Sequence, residues 1–199
     1  LSTEPVSSYA NGFRPRWLAS AAAARLAPPR LLLVFYLPVM SKTLDGLTIR
    51  DAVRADAPAI KHVVFTVLQE YGLAPDPGGT DADLTDVEAA YWDKGGMFVV
   101  VEAAGGGVVG TAGLMPEGPE EVELRKMYLL REVRGRGLGR ELLRRCIAFA
   151  QENGYRQIRL ETNRVLVEAV RLYERAGFRP VASRGLSPRC DRAYVLSLG

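Results

Sequence analysis

The sequence predicts a mixed α/β fold, and three features of its 199 residues carry that prediction. Stretches with apolar residues at i, i+3 and i+4, the period of a half-buried helix, alternate with short apolar runs of strand length. Glycine pairs and triplets mark the changeovers. Between a strand-like run and an amphipathic segment lies the loop Arg134-Gly135-Arg136-Gly137-Leu138-Gly139.

Leu47 to Arg50 reads as a first short strand. Ala55 to Tyr71 reads as a helix whose buried face is Ile60, Val63, Val64, Val67 and Leu68, with Gly72 as its stop. Leu73 to Thr80 is a Pro/Gly loop, and Asp83 to Trp92 an acidic second helix ended by Gly95-Gly96. Met97 to Val101 and Val108 to Leu114 are strands around a Gly105-Gly106-Gly107 turn, and Glu121 to Leu129 is the fourth strand. Behind the Arg-Gly loop the amphipathic helix runs from Arg140 to Asn153. Ile158 to Glu161 is the fifth strand, Val167 to Ala176 the last helix, and Arg192 to Leu198 a closing strand.

With 48% apolar and 25% charged residues, the composition is that of one globular domain with an adequate core. Residues 1–40 differ: they hold four Arg and one Glu, an alanine run and an apolar stretch, Leu31 to Leu37, ended by Pro38. That stretch is far short of the ~18–20 residues that span a bilayer, so no membrane partner is expected. An acid-poor, Arg- and Ser-containing leader fits a transit peptide. A chain that begins with Leu1 and reaches Met40 just before the domain also fits translation begun too early. We read 1–40 as a poorly structured or mis-started extension, with Met40 as the natural start, and 41–199 as the working domain.

Residues 41–199 balance at 22 basic and 22 acidic side chains, but unevenly. Residues 41–124 carry net −10 and residues 125–199 net +10. An anion held on the basic half and a cation admitted on the acidic half is one reading; two solvated faces is the other.

The loop itself points to an anion. A helix start leaves several N–H groups without carbonyl partners at the positive end of the macrodipole. Gly135, Gly137 and Gly139 can take positive φ and let an anion approach the main chain, and Arg134 and Arg136 add charged donors. A nucleotide P-loop would end Gly-Lys-Ser/Thr, whereas Arg140-Glu141 follows here. A Rossmann fingerprint needs a different glycine spacing early in the chain. An Arg-Gly RNA-binding tail would be low-complexity, and the arginines of 134–145 lack interleaved aromatics, so no nucleic-acid partner is expected.

Arg134-x-x-Gly137-x-Gly139 resembles the signature of the GCN5-related N-acetyltransferase (GNAT) superfamily for the diphosphate of acetyl-CoA. Glu123-Leu124-Arg125-Lys126-Met127-Tyr128-Leu129 resembles that family's fourth strand. Ala169-x-x-Leu172-Tyr173-x-x-x-Gly177-Phe178 resembles its last helix and following strand. The resemblance covers Leu47 to Leu198. It implies a central mixed, largely antiparallel sheet of six to seven strands, splayed between the fourth and fifth, with about four helices.

It also implies site roles. Cofactor contacts fall on Met127, Tyr128 and Leu129, on Arg134, Gly135, Arg136, Gly137, Leu138, Gly139 and Arg140, and on Asn163. The Asn163 match is out of register by three residues, and a turn cap is the competing role. The Leu129 amide is implied as donor to the oxyanion, Tyr173 as the acid near sulfur with amphipathic core as the alternative, and Glu123 as base with solvated strand edge as the alternative. Glu161 is the reserve base.

The implied activity is acetyl transfer from acetyl-CoA, used as co-substrate, to a primary amine by direct attack. A catalytically inactive CoA-binding regulatory or scaffold module of the same fold is the alternative, and a longer acyl donor a third reading. The expected partner is a small-molecule or peptide amine, and a homodimer is admitted. The resemblance implies that the loop Leu73 to Thr80 and the acidic helix Asp83 to Trp92 wall the acceptor site, where the family varies, and their carboxylates favour a cationic small molecule first and an amino-terminal or lysine amine second. His62, the only histidine, reads as helix surface. Cys146 and Cys190 show no metal-ligand spacing, so no metal and a reducing, cytoplasmic setting are expected.

Overall fold

The computed structural model describes residues 43–44, 46–182 and 185–199; the expected leader 1–40 and the start at Met40 lie outside them. The elements are β1 (Thr43–Leu44), β2 (Leu47–Asp51), α1 (Ala57–Glu70), α2 (Val87–Ala90), β3 (Met97–Ala103), β4 (Val108–Pro116), β5 (Glu121–Leu129), α3 (Leu138–Glu152), β6 (Gln157–Thr162), α4 (Val167–Arg175), β7 (Arg179–Val181) and β8 (Arg192–Ser197). The strands form one sheet in the order β1-β2-β3-β4-β5-β6-β8-β7. Only β5 and β6 pair in parallel among the described strands. The expected mixed sheet is present. The two-residue β1 adds an edge, so the strands read as fourth and fifth are β5 and β6.

Period-two alternation in β3 builds a core on each face of the sheet. Met97, Val99 and Val101 join Leu138, Leu142, Cys146, Tyr173 and Phe178, from α3, α4 and the chain after α4. Phe98 and Val100 join Ile60, Val63, Val64 and Leu68 of α1, with Leu84, Val87 and Tyr91. Burial of each such aliphatic side chain contributes about 1.5–3 kcal/mol, which anchors the helices that flank the site. α1 ends as its sequence dictates: Gly72 takes φ 69°, its amide bonds Gln69 O at 3.0 Å, and the Leu73 amide bonds Leu68 O at 2.8 Å.

The expected acidic helix over Asp83 to Trp92 is not continuous. It breaks into a 3₁₀ turn (Ala82–Leu84), the four-residue α2 and a second 3₁₀ turn (Trp92–Lys94). Asp86 is the reason at the first break, because its carboxylate accepts from the Ala89 amide at 3.0 Å and starts a new helix there. Tyr91 then packs edge-on to Phe98, with ring centroids 4.9 Å apart.

One local irregularity shapes the centre of the molecule. Thr111 pairs with Tyr128 but Gly113 with Arg125, so β5 carries one residue more than β4 across that interval. Lys126 is the residue concerned, and its φ of 53° is the only positive value outside glycine among the described residues. A left-handed non-glycine costs roughly 1–2 kcal/mol; the Thr111 hydroxyl donates to Lys126 O at 2.6 Å and helps hold it. A bulge bends its strand. Pairing of β5 with β6 stops at Leu124 with Leu160, immediately before it, and the two strands diverge from Arg125 onward.

Candidate active site

The divergence opens a cleft of about 440 Å³. Its walls come from β5 (Glu123 to Leu129), the Arg134–Arg140 segment, the end of β6, α4 with Ala169, Leu172 and Tyr173, and the loop residues Ser187, Arg189 and Cys190.

At one end lies the start of α3. The helix begins at Leu138, two residues before the expected Arg140, so the last part of the glycine motif forms its first turn. Gly135 and Gly137 take φ of 78° and 80°, as the loop chemistry requires. Gly139 does not; it sits in the helix, where an added Cβ would lie 3.4 Å from Leu172 and 3.8 Å from Leu129. Its value is close packing of α3 against α4 and β5. The first intrahelical bond runs from the Glu141 amide to Gly137 O at 3.1 Å, which leaves the amides of Leu138, Gly139 and Arg140 directed out of the helix start.

The three arginines differ. Arg140 and Arg136 are exposed, and Arg136 donates to Glu132 O at 3.3 Å. Arg134 is held: its guanidinium makes two 2.7 Å bonds to the Glu70 carboxylate, its Nε donates to Leu129 O at 2.8 Å, and it lies 5.4 Å from the centre of the Tyr71 ring. It fastens the end of α1 to the end of β5.

Along β5, the Leu130 amide donates to Val109 O at 2.9 Å. Successive amides of an extended strand point to opposite edges, so that of Leu129 faces the side from which β6 has parted. Tyr128 packs against the α1 core and also borders the cleft; burial, opposed by Arg189, pushes its phenol up to about 12.

Across the cleft from this edge, Tyr173 is buried, its ring 5.7 Å from that of Phe178, and burial raises its phenol well above the ordinary value. Glu123 lines the cleft from β5. Burial raises its pKa and the nearby Glu161 adds to the rise, while Arg125 opposes it. Glu161 is tied down by the Ser187 amide and hydroxyl at 2.9 and 2.8 Å. Asn163 caps the Val165 amide at 3.0 Å and donates to Arg189 O at 2.8 Å, the turn-cap role, while its side chain also borders the cleft. Cys190 borders it too, and burial pushes its thiol up to about 11. Cys146 is buried in the α3 face and His62 is exposed on α1.

The bulge sends Arg125 and Lys126 to the same side, where both donate to Thr80 O, at 2.9 and 2.7 Å. Lys126, with a side chain 2% exposed, also bonds Asp81 at 2.6 Å and lies 3.2 Å from Asp83. Arg189 grips Asp81 through both terminal nitrogens, at 2.7 and 2.6 Å. Burial opposes the charge on Asp81, but these hydrogen bonds outweigh it and hold its pKa at about 2. No residue of 83–92 lines the cleft, so the expected acidic wall is absent; Leu73 and Thr80 of the preceding loop do reach it.

A model described as the acetyltransferase (GNAT) family matches residues 65–178. The chain belongs to the GNAT acetyltransferase family. The uncharacterized N-acetyltransferase YjgM of Escherichia coli K12 is 42% identical over 128 residues, 62% of this chain and 76% of YjgM. A GNAT-family acetyltransferase from Staphylococcus aureus Mu50 has a TM-score of 0.72 at 23% identity, over 77% of this chain and 99% of that one. YncA of Salmonella typhimurium, solved with its cofactor acetyl-CoA, has a TM-score of 0.63 at 24% identity, over 78% and 95%. These two structures bear on the fold alone.

In this GNAT enzyme the residues singled out from sequence, Glu123, Met127 to Leu129, Arg134 to Arg140, Asn163 and Tyr173, all lie in or beside one cleft. Sequence reasoning missed Lys126, Asp81 and Arg189. A signal existed: Lys126 follows Val122 and Leu124 on the buried parity of β5, and a lysine there needs a carboxylate partner.

Proposed function

We propose that the chain transfers an acetyl group from acetyl-CoA to a primary amine by direct attack in a ternary complex. The observation that carries this reading is convergence on one cleft of the free α3 amides, the unpaired edge of β5, Tyr173 and Glu123. The residues fit the donor. Left-handed Gly135 and Gly137 and the first-turn amides form an anion cradle, with the charge of Arg136 and Arg140 beside it. The parted strand leaves the main chain of Met127 and Leu129 to hold an amide-bearing arm. Bound acetyl-CoA supplies the activated acyl group.

The attacking amine must be neutral. Glu123, its pKa raised, accepts the proton. As the nitrogen–carbon bond forms and the carbon–sulfur bond breaks, the Leu129 amide donates to the carbonyl oxygen. Tyr173 keeps its proton at neutral pH and donates it toward the departing sulfur, whose own affinity for a proton rises in the same apolar surroundings.

A screen of CoA thiol release over amino acids, polyamines, aminoglycosides and peptides tests the reading, with calorimetry of CoA binding alongside. Amine-dependent thiol release supports it. Tight CoA binding with no release for any amine would instead mark a cofactor-sensing module.

A further inference from the structure

The acidic loop, which from sequence alone favours a cationic acceptor, is unavailable to one. Asp81 is consumed by Lys126 and Arg189, and Asp76 accepts the Thr80 amide at 2.8 Å. Asp83 accepts from the Tyr91 hydroxyl and lies against Lys126, and Asp86 caps α2. None of the four borders the cleft. What borders it, next to Glu123, is a guanidinium.

Glu123 and Arg125 are two residues apart on β5 and point to the same face. The side chain of Arg125 is 21% exposed, and its Nε stands 3.6 Å from Glu123 and 3.7 Å from Asp83, beyond hydrogen-bond reach of either. Its terminal nitrogens give one bond to Thr80 O at 2.9 Å and one weak contact to the Met115 sulfur at 3.4 Å. Arg125 is therefore a half-buried cation in the cleft with no carboxylate hydrogen-bonded to it. The other cations of the cluster, Lys126 and Arg189, already bond Asp81. A free carboxylate is the partner that suits a guanidinium fork best.

We propose that the acceptor is a zwitterion, an amine bearing a carboxylate within two or three bonds of its nitrogen. Arg125 takes the carboxylate and Glu123 the ammonium. This inference rests on the acetyl-transfer reading for the identity of the acceptor end. Charge supports the pairing: among the cleft-lining residues of β5, β6 and the loop after β7, Arg125, Lys126 and Arg189 outnumber Glu123 and Glu161, a lining that suits a carboxylate-bearing amine better than a polycation. A substrate carboxylate on Arg125 would also weaken the hold of that cation on Glu123 and make Glu123 the stronger base, so binding would prime the proton transfer.

The test compares each standard α-amino acid with its own carboxamide and with its decarboxylated amine, by thiol release from acetyl-CoA. For the best acceptor we expect kcat/KM at least tenfold higher for the free acid than for the carboxamide. Arg125→Gln should bring that ratio to within about twofold, and Arg125→Lys should restore part of it; retained CoA affinity at the α3 start certifies the fold of both variants. Equal or better turnover of carboxamides or of spermidine overturns the proposal, as does a ratio unmoved by Arg125→Gln in a variant that binds CoA normally. If no amine is turned over, the acetyl-transfer reading fails separately, and calorimetry on CoA-loaded protein decides this one. Heat with amino acids but not with their amides supports it, and the same response to both, or none, overturns it.

Discussion

Gly137→Asp separates the fold from the cofactor site. Gly137 is exposed at the N-cap of α3 with φ 80°, and an added Cβ meets nothing within 4 Å. Aspartate and asparagine are among the few residues that visit this conformation, each at a cost to the fold of roughly 1–2 kcal/mol that the two variants share. The ligand is another matter. A carboxylate about 4 Å from one phosphoryl charge is repelled by ~1 kcal/mol in water and ~4 kcal/mol near a protein surface. That range corresponds to a loss of about fivefold to about a thousandfold in affinity, and the second phosphoryl group pushes toward the upper end. Calorimetric titration with CoA measures it, with Gly137→Asn as the neutral control, thermal melting as the fold control, and a salt series in which the deficit shrinks. If Gly137→Asp binds CoA as tightly as Gly137→Asn, the anion does not sit at this helix start, and the cofactor assignment goes with it.

Three other outcomes follow from the same geometry. Tyr173→Phe should leave CoA affinity within about twofold and lower kcat by roughly 10²-fold, the usual worth of a positioned proton donor, read by steady-state kinetics. Glu123 must be ionised to accept a proton and its pKa is raised, so kcat/KM should fall as pH drops through a point above the ordinary glutamate value of 4.5. Glu123→Gln should slow the reaction and remove that limb of the pH profile; an unchanged limb would point to Glu161 or to the substrate amine. Asp81→Asn leaves Lys126 and Arg189 buried without their carboxylate, a cost of about 3–5 kcal/mol, which at roughly 2–4 °C per kcal/mol lowers Tm by ~6–20 °C. The folded-state pKa of Asp81 is depressed from 3.8 to about 2, so its contribution is present above pH 3.8 and is lost as pH falls toward 2. Acid denaturation curves should show the variant less sensitive across that window.

What the chain determined by itself is what short-range physics controls. The buried face of α1, its stop at Gly72, the glycine-lined start of α3 and the order of strands follow from spacing, φ preference and the free amides of a helix end, all set within a few residues of one another. The positions of Glu123, Leu129 and Tyr173 around one cleft were legible for the same reason, through motifs tied to those elements. Only the tertiary structure decided the rest, because the deciding partners are far away in sequence. Lys126 meets Asp81 across 45 positions, Arg189 meets it across 108, and Arg134 meets Glu70 across 64. Where a buried charge goes depends on which opposite charge the fold brings within hydrogen-bond reach, since an unpaired one is too costly to bury. That long-range pairing turned the acidic segment from a substrate wall into the internal counterion of a bulged strand, and left Arg125 facing the cleft.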